Sequence, residues 1–195
     1  MYRDQKKYEE YAYVLDYLPH GRPGAPRTPH TSVEVIQMVG ESYFTLLEAS
    51  PKRDAIYNPR DRIFVGKGDR ALVFHIIGRI KYSELTSSAK AELPGVIEIV
   101  VRNNESFFVN FFNTSQPVTP RMHSLELIPG IGKRLMFQIL EIREKTPFRS
   151  FHDIEERVGL KDPAAQVAKR VVEELSQEEK YLLFTRPSAD HGYLQ

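Results

Sequence analysis

The chain has 195 residues, 41% of them hydrophobic, which is enough for a packed core in one large domain or two small ones. It contains no cysteine, and this excludes disulfides, zinc sites with thiolate ligands and thiol nucleophiles. The formal net charge is +1, so any affinity for a polyanion must come from local clusters of cations. The sequence shows neither a secretory signal nor a run of about 20 apolar residues, and we therefore expect a cytoplasmic protein without a membrane segment.

Residues 1–82 carry the pattern of a small β-barrel. Short β-branched and aromatic segments alternate with turns marked by Gly, Pro, Asn and Asp. The longest interruption is a loop dense in Pro and Gly that follows the first segment. Such a series of strands predicts a partly open barrel of the oligonucleotide-binding (OB) type. Strands are predicted at 11–18, 33–39, 43–48, 62–65 and 71–80.

Residues 83–118 are predicted to be a helical connector. Pro94 is expected to interrupt its first helix, and 96–101 is interpreted as helix again. Asn104 is predicted to cap a further helix, 105–112, with its phenylalanines on one face. We interpret these aromatic side chains mainly as core between two domains, with base stacking by one or two of them as the alternative. They are Phe107, Phe108, Phe111 and Phe112.

Residues 119–184 read entirely as helix and predict two consecutive helical hairpins. The second helix has an apolar stripe, and the start of each other helix has a residue suited to capping. The last segment, 185–195, is predicted to be a disordered tail. Thr119 with Pro120, Ser150 with Asp153, and Asp162 with Pro163 are the expected helix starts, and Leu135, Ile139 and Ile142 form the stripe.

The turn between the first two of these helices is the clearest candidate for binding. Glycine allows a tight reversal of the chain, while the apolar residue between the glycines can pack between the helices. Because the turn ends at a helix start, unpaired amides and the positive end of the helix dipole can hold a phosphate oxygen there. Cations in a first helical turn are unfavourable unless an anion is close. The predicted contacts are Pro129, Gly130, Ile131, Gly132, Lys133 and Arg134.

The segment 123–144 resembles the helix-hairpin-helix of repair, recombination and competence proteins. The resemblance implies that the backbone amides of Gly130, Gly132 and Lys133 hold a nucleic-acid phosphate, with the Lys133 and Arg134 side chains assisting. The second turn, 159–163, lacks the second glycine, so we expect it to be a structural partner. The alternative is that the first turn is only scaffolding or a protein-docking element.

Nearly the whole chain also resembles an archaeal family, domain of unknown function 655. The stretches that carry this resemblance are KKYEEYAYVLDYLPHG, DRIFVGKGDR and the junction 117–133. It implies a barrel joined to a helix-hairpin-helix and binding of nucleotides or nucleic acids. The predicted fold class is therefore α+β, with an OB-like barrel over 1–82 followed by a tandem helix-hairpin-helix domain over 119–184.

The barrel sequence suggests a second basic surface. Eight cations and three acids lie between residues 51 and 81. Tyr57 and Phe64 could offer rings on which bases stack, as in oligonucleotide-binding barrels. The alternative is an ordinary solvated surface. The predicted contacts are Arg53, Arg60, Arg62, Lys67 and Arg70.

No catalytic pattern is evident. The two Gly-Lys pairs lack the remaining residues of a phosphate-binding loop, and the six histidines are scattered. Lys133 and Asp153 have a spacing near that of hairpin glycosylases, but Asp153 already serves as a cap. We therefore expect a non-catalytic binder of DNA or RNA backbone without cofactor or metal. The alternative is a protein-interaction scaffold in a translation or DNA-repair assembly. A choice between DNA and RNA, with a slight preference for RNA, rests on analogy, and the oligomeric state stays open.

Overall fold

The computed structural model describes residues 8–22 and 34–186. Of these, 8–22, 34–96 and 184–186 form one compact unit, and 97–183 form a second. This division falls within the predicted connector, 83–118. Among the described residues no helix is both long and apolar enough to span a membrane.

Unit one is built on a curled antiparallel sheet with the strand order β4-β1-β2-β3-β5. All five predicted strands are present, although β3 begins three residues later than predicted. The register shifts within the pairing of β1 with β2 and of β3 with β5. Such shifts bend a strand and increase its twist, so the sheet forms a half-barrel. The strands are β1 Tyr11–Leu18, β2 Val35–Gly40, β3 Leu46–Pro51, β4 Arg62–Phe64 and β5 Val73–Arg79.

Buried apolar side chains from all five strands form the core of this sheet, and Tyr57 belongs to it. Tyr57 is 8% exposed, and its hydroxyl donates to the carbonyl of Leu72 at 2.5 Å. The prediction that Tyr57 offers a ring for stacking is therefore wrong, because the ring is in the core. Other members are Ala12, Val14, Ile36, Met38, Leu47, Ala49, Ile63, Val65 and Val73.

Helix α1, Ser87–Asn103, starts beside this sheet. The hydroxyl of Thr86 accepts a bond from the Ala89 amide at 3.0 Å and donates to the Asp16 carboxylate at 2.6 Å. Thr86 therefore caps the helix and ties its first turn to β1. A short 3-10 helix, Tyr82–Glu84, precedes α1. The α-helix therefore begins at Ser87 and not at residue 83, where the predicted connector begins.

Pro94 lies inside α1, and the predicted interruption of the helix is wrong. A proline in a helix removes one backbone hydrogen bond and often ends the helix. Here Leu93, Val96 and Ile97 on either side have no exposed surface (0%). Their burial stabilises a continuous helix across the proline.

Helix α2, Glu105–Thr114, differs from its prediction in two respects. The side chain of Asn104 does not cap it but donates back to the Val100 carbonyl of α1 at 2.9 Å. The four phenylalanines lie on one broad face, about 140° wide at about 100° per residue, but they do not all belong to the core. Phe108 and Phe112 are buried, whereas Phe107 is 63% exposed.

The segment predicted as the helix 119–128 is instead a small hairpin followed by a single 3-10 helix. The Thr119 hydroxyl accepts from the Arg121 amide at 3.3 Å, so this threonine closes a turn and caps no helix. The helix start moves to His123, whose Nδ1 accepts from the Leu125 amide at 3.1 Å. The elements are β6 Pro117–Thr119, β7 Met122–His123 and the 3-10 helix Ser124–Leu127.

Three α-helices complete unit two, and the caps predicted for two of them are confirmed. The Ser150 hydroxyl accepts from the Asp153 amide at 3.0 Å, and the Asp162 carboxylate accepts from the Ala165 amide at 3.1 Å. The Asp153 carboxylate bonds the amide of Arg149 at 2.9 Å, one residue before the position expected for a capping box. The helices are α3 Lys133–Lys145, α4 Phe151–Val158 and α5 Pro163–Ser176.

The core of unit two contains a buried ion pair beside its apolar side chains. Arg170 and Glu174 are 4% and 6% exposed, and Arg170 Nε donates to Glu174 Oε1 at 2.9 Å. Arg170 also donates to the carbonyl of Tyr181 at 2.6 Å, and Glu174 accepts from the amide of Leu183 at 2.8 Å. The pair thus fastens the segment after α5. The apolar core of unit two includes side chains that are essentially unexposed, namely Leu125, Ile128, Ile139, Ile154, Val167 and Val171.

Parts of several sequence predictions lie outside the described residues. They are residues 1–7 of the predicted barrel, 23–30 of the predicted loop rich in Pro and Gly, residue 33 of the predicted second strand and 187–195 of the predicted tail. Of the two described tail residues, Thr185 is 9% exposed and the Arg186 guanidinium lies 3.9 Å from the centroid of the Tyr43 ring.

Candidate nucleic-acid interface

The turn Pro129–Gly132 reverses the chain as its two glycines suggested, but only one of them needs to be glycine for backbone reasons. Gly130 has φ +83°, in the left-handed region that side chains disfavour. Gly132 has φ −87° and ψ 175°, an extended conformation open to any residue. Ile131 is 4% exposed, in agreement with the expected packing of its side chain.

Gly132 leaves open space in front of the backbone at the start of α3. A Cβ placed on Gly132 would meet no atom within 4 Å, and the residue is exposed. The turn therefore presents bare backbone at the point where α3 begins. This is the steric condition for close approach of a phosphate group.

The N-terminus of α3 has no side-chain cap. Gly132 is its N-cap, and the Met136 amide is the first to bond back to it, at 2.9 Å. Amides before that position in a helix have no partner within the helix. The first turn has no acidic residue and instead carries Lys133 and Arg134, both exposed. The positive end of the helix dipole and the side chains of Lys133 and Arg134 thus lie together at one helix end.

The second turn, 159–162, has a different character. The Asp162 carboxylate caps α5 and accepts two bonds from the Arg102 guanidinium, at 3.0 and 2.8 Å. Hydrogen bonds to Glu98 and Asp162 raise the pKa of Arg102. At the start of α5 a carboxylate thus already bonds the Ala165 amide, whereas α3 has no side-chain cap. Lys161 is exposed beside this carboxylate.

Sequence reasoning did not single out Phe137, which lies one helical turn after Lys133. Its side chain is 64% exposed, whereas Met136 and Ile139 on the same helix are buried. The sequence could have revealed this exposed aromatic residue, because Phe137 lies outside the apolar stripe of α3.

Two of the predicted barrel cations are engaged in ion pairs within unit one. Arg60 Nε lies 3.0 Å from Glu92 Oε2, and Arg62 Nε lies 2.7 Å from Glu41 Oε2. The Arg62 guanidinium also lies 3.5 Å from the centroid of the Tyr11 ring, and the hydrogen bond to Glu41 raises its pKa. These pairs compete with any phosphate for the two guanidinium groups.

The other three predicted barrel cations fall into two groups. Lys67 and Arg70 both line a cleft of about 280 Å³ together with Arg79. Arg53 is exposed and does not line this cleft. Tyr8, also on the cleft wall, was not predicted as a site residue, and no local sequence pattern marks it.

Relatives of this chain are known from sequence and structure. The family described as "Protein of unknown function (DUF655)" matches residues 8–186. The chain is 44% identical over 183 residues to Uncharacterized protein MJ0038 of Methanocaldococcus jannaschii, covering 93% of this chain and 82% of that protein. The crystal structure of Af1531 from Archaeoglobus fulgidus is similar with a TM-score of 0.83 and 44% identity, covering 91% of this chain and 100% of that one. With a family match over nearly all described residues and relatives of this similarity, the chain belongs to the DUF655 family.

Proposed function

We propose that this chain binds DNA or RNA without catalysing a reaction, and that its principal contact is the turn Pro129–Gly132 with the first turn of α3. The observation that carries this proposal is the uncapped N-terminus of α3 behind open space at Gly132. A phosphate oxygen there would accept from free amides and complete the helix start. The succession of a 3-10 helix, the turn and α3 supports the proposal that this segment acts as a helix-hairpin-helix.

The charges near this turn support a polyanion as the ligand. Lys133 and Arg134 stand where the helix dipole disfavours cations, and a bound phosphate removes that penalty. Contacts of this kind reach the sugar–phosphate backbone and do not read base edges, so binding should be tolerant of sequence.

Unit one supports a second contact surface. Its five antiparallel strands, in the order β4-β1-β2-β3-β5, leave β4 and β5 at the two edges, and such a partly open sheet supports the proposal of an OB-type barrel. Lys67 and Arg70 lie at the cleft on this sheet, while Arg60 and Arg62 are paired with carboxylates. We propose that the barrel assists binding mainly through the cleft cations.

The test is a fluorescence-anisotropy titration of the full chain with labelled single- and double-stranded DNA and RNA at low and moderate salt. Wild type should bind at least one ligand with a dissociation constant on the order of 10⁻⁴ to 10⁻⁶ M and lose affinity as salt rises. Gly132→Val should weaken binding because its side chain fills the space in front of the amides.

Lys133→Glu and Lys161→Glu form a matched pair, since both reverse an exposed lysine beside a turn of unit two. The first should weaken binding far more than the second. Undiminished binding by Gly132→Val and Lys133→Glu would show that the turn is not the contact. Failure of wild type to bind any of the four ligands would favour the alternative, a protein-interaction scaffold. A protein partner retained in pull-downs after nuclease treatment would then support the scaffold.

A further inference from the structure

Unit one contains a cleft of about 280 Å³ whose wall is partly apolar and partly cationic. Four segments of the chain form it: the residues before β1, strand β3 with the residue before it, the loop after β4, and strand β5. Its volume is near the lower limit of roughly 300 Å³ for small-molecule sites. The side chains that matter here are Tyr8, Lys67, Arg70 and Arg79 over a floor of Leu47 and Ile76.

The cleft is positively charged. Within residues 8–22 and 34–186, none of its three cations makes an ion pair. Lys67 Nζ lies 4.9 Å from the centroid of the Tyr8 ring, and Arg70 Nε donates to the carbonyls of Val65 and Gly66 at 3.1 and 2.9 Å. These contacts orient Lys67 and Arg70 without pairing either of them with a described carboxylate.

One carboxylate, that of Glu9, also lines the cleft, and it is already committed. Its oxygens accept from the amides of Ser42, Tyr43 and Thr45 at 2.9, 3.1 and 3.1 Å. Glu9 is 7% exposed. The carboxylate therefore accepts hydrogen bonds from the turn between β2 and β3, and among the described residues no other acid lines the cleft.

The aromatic wall of the cleft is held in place from two sides. The Glu10 carbonyl accepts from the amides of Val65 and Gly66 at 2.8 and 3.1 Å, while Glu9 is bonded to the turn after β2. Tyr8 precedes these two anchored residues, and its side chain is 50% exposed. A flat, half-exposed ring beside unpaired cations is thus largely formed before any ligand arrives.

We infer that this cleft binds one nucleotide of a single strand, with the base against Tyr8 and the phosphate on Arg79 and Arg70. Aromatic rings accept unpaired bases by stacking, and guanidinium groups bind phosphate. The volume admits one nucleotide, and a base paired within a duplex cannot enter. The inference rests on the proposed function for its ligand class and deepens the role proposed there for the cleft cations, because it adds a stacking contact at Tyr8 and a preference for single strands.

The experiment measures binding of fluorescein-labelled uridine and thymidine hexanucleotides, and of a duplex, to the full chain. Tyr8→Ala should weaken single-strand binding by about 5-fold or more, the range of one lost stacking contact, while Tyr8→Phe should stay within about 2-fold of wild type. Arg79→Ala should weaken it comparably. Lys90→Ala is the control, since Lys90 is a cation of the same unit that does not line the cleft, and it should change binding by less than about 2-fold. Duplex binding should be unchanged in all four.

The same titration with Gly132→Val separates this inference from the proposed function. Single-strand binding that survives Tyr8→Ala and Arg79→Ala but falls with Gly132→Val overturns the cleft and leaves the α3 contact standing. The opposite pattern supports the cleft and overturns the α3 contact. Absence of single-strand binding by wild type overturns the cleft outright. Thermal unfolding should be unchanged in the variants, which shows that they are folded. A 4-thiouridine oligonucleotide should crosslink to the peptide that contains Tyr8, which supports a base bound at this ring.

Discussion

A Cβ placed on Gly130 would lie 3.4 Å from Cδ1 of Leu160, a side chain that is 4% exposed. The turn Pro129–Gly132 therefore packs against the turn that follows α4, within the second unit. Gln166 of α5 lies next to the same position, 3.8 Å away. The turn that carries the proposed phosphate contact is thus packed against its neighbours at Gly130, whereas Gly132 leaves open space for a ligand.

We expect Gly130→Ala and Gly132→Ala to have different effects on stability. Alanine at φ +83° is strained, so Gly130→Ala should lower the free energy of unfolding by about 1–2 kcal/mol. Gly132 is extended with open space in front of it, so Gly132→Ala should stay within about 0.5 kcal/mol of wild type. Urea denaturation followed by circular dichroism measures both. Equal destabilisation by the two variants would contradict the conclusion that only Gly130 must be glycine for backbone reasons.

Arg170→Ala should destabilise unit two strongly. It removes one partner of a buried ion pair and leaves Glu174 without its guanidinium, a change that costs about 3–5 kcal/mol. Because Arg170 also holds the Tyr181 carbonyl, limited proteolysis should cut the segment after α5 sooner. Lys169→Ala, at an exposed neighbouring position, is the control and should unfold like wild type. A small effect of Arg170→Ala would mean that this network contributes little to stability.

The stability of unit two should fall as the pH drops below about 6.5. Burial lowers the pKa of His123, and the nearby positive charge of Arg143 lowers it further. The folded state therefore binds fewer protons than the unfolded state just below the unfolded pKa, and stability is lost as the pH falls through that range. His123→Asn keeps an acceptor for the Leu125 amide but does not titrate. Unfolding measured between pH 7.5 and 5 should show a smaller loss in this variant, and parallel curves would refute the prediction.

The double variant Lys133→Ala/Arg134→Ala should reduce the salt dependence of nucleic-acid binding. Each lost phosphate contact lowers the slope of log K against log salt by about 1, so a reduction of about 1–2 is expected. Lys161→Ala should leave the slope unchanged, because the turn beside it already holds the Asp162 carboxylate. Anisotropy titrations at four or more salt concentrations provide the slopes. An equal reduction by both variants would indicate a diffuse electrostatic effect.

Local pattern was sufficient for elements whose stability is local. The strand Tyr11–Leu18 was predicted to its ends, since an aromatic and β-branched run stops where the sequence becomes rich in Pro and Gly. The Ser150 and Asp162 caps were predicted because capping acts over three residues. The helix predicted from Thr119 failed for the converse reason. The preference of that segment for a hairpin depends on pairing between Pro117 and His123.

The sequence by itself determined the α+β class, the five strands and the positions of Gly130, Lys133 and Arg134 at a turn and helix start, because these depend on neighbouring residues. Only the tertiary structure decided which barrel cations form an ion pair with another described residue. Arg60 and Arg62 find carboxylates 32 and 21 residues away in the chain. Arg70 and Arg79 instead meet Tyr8 at one cleft. Such meetings depend on sheet register and on how the chain folds back upon itself, and neither composition nor periodicity encodes them.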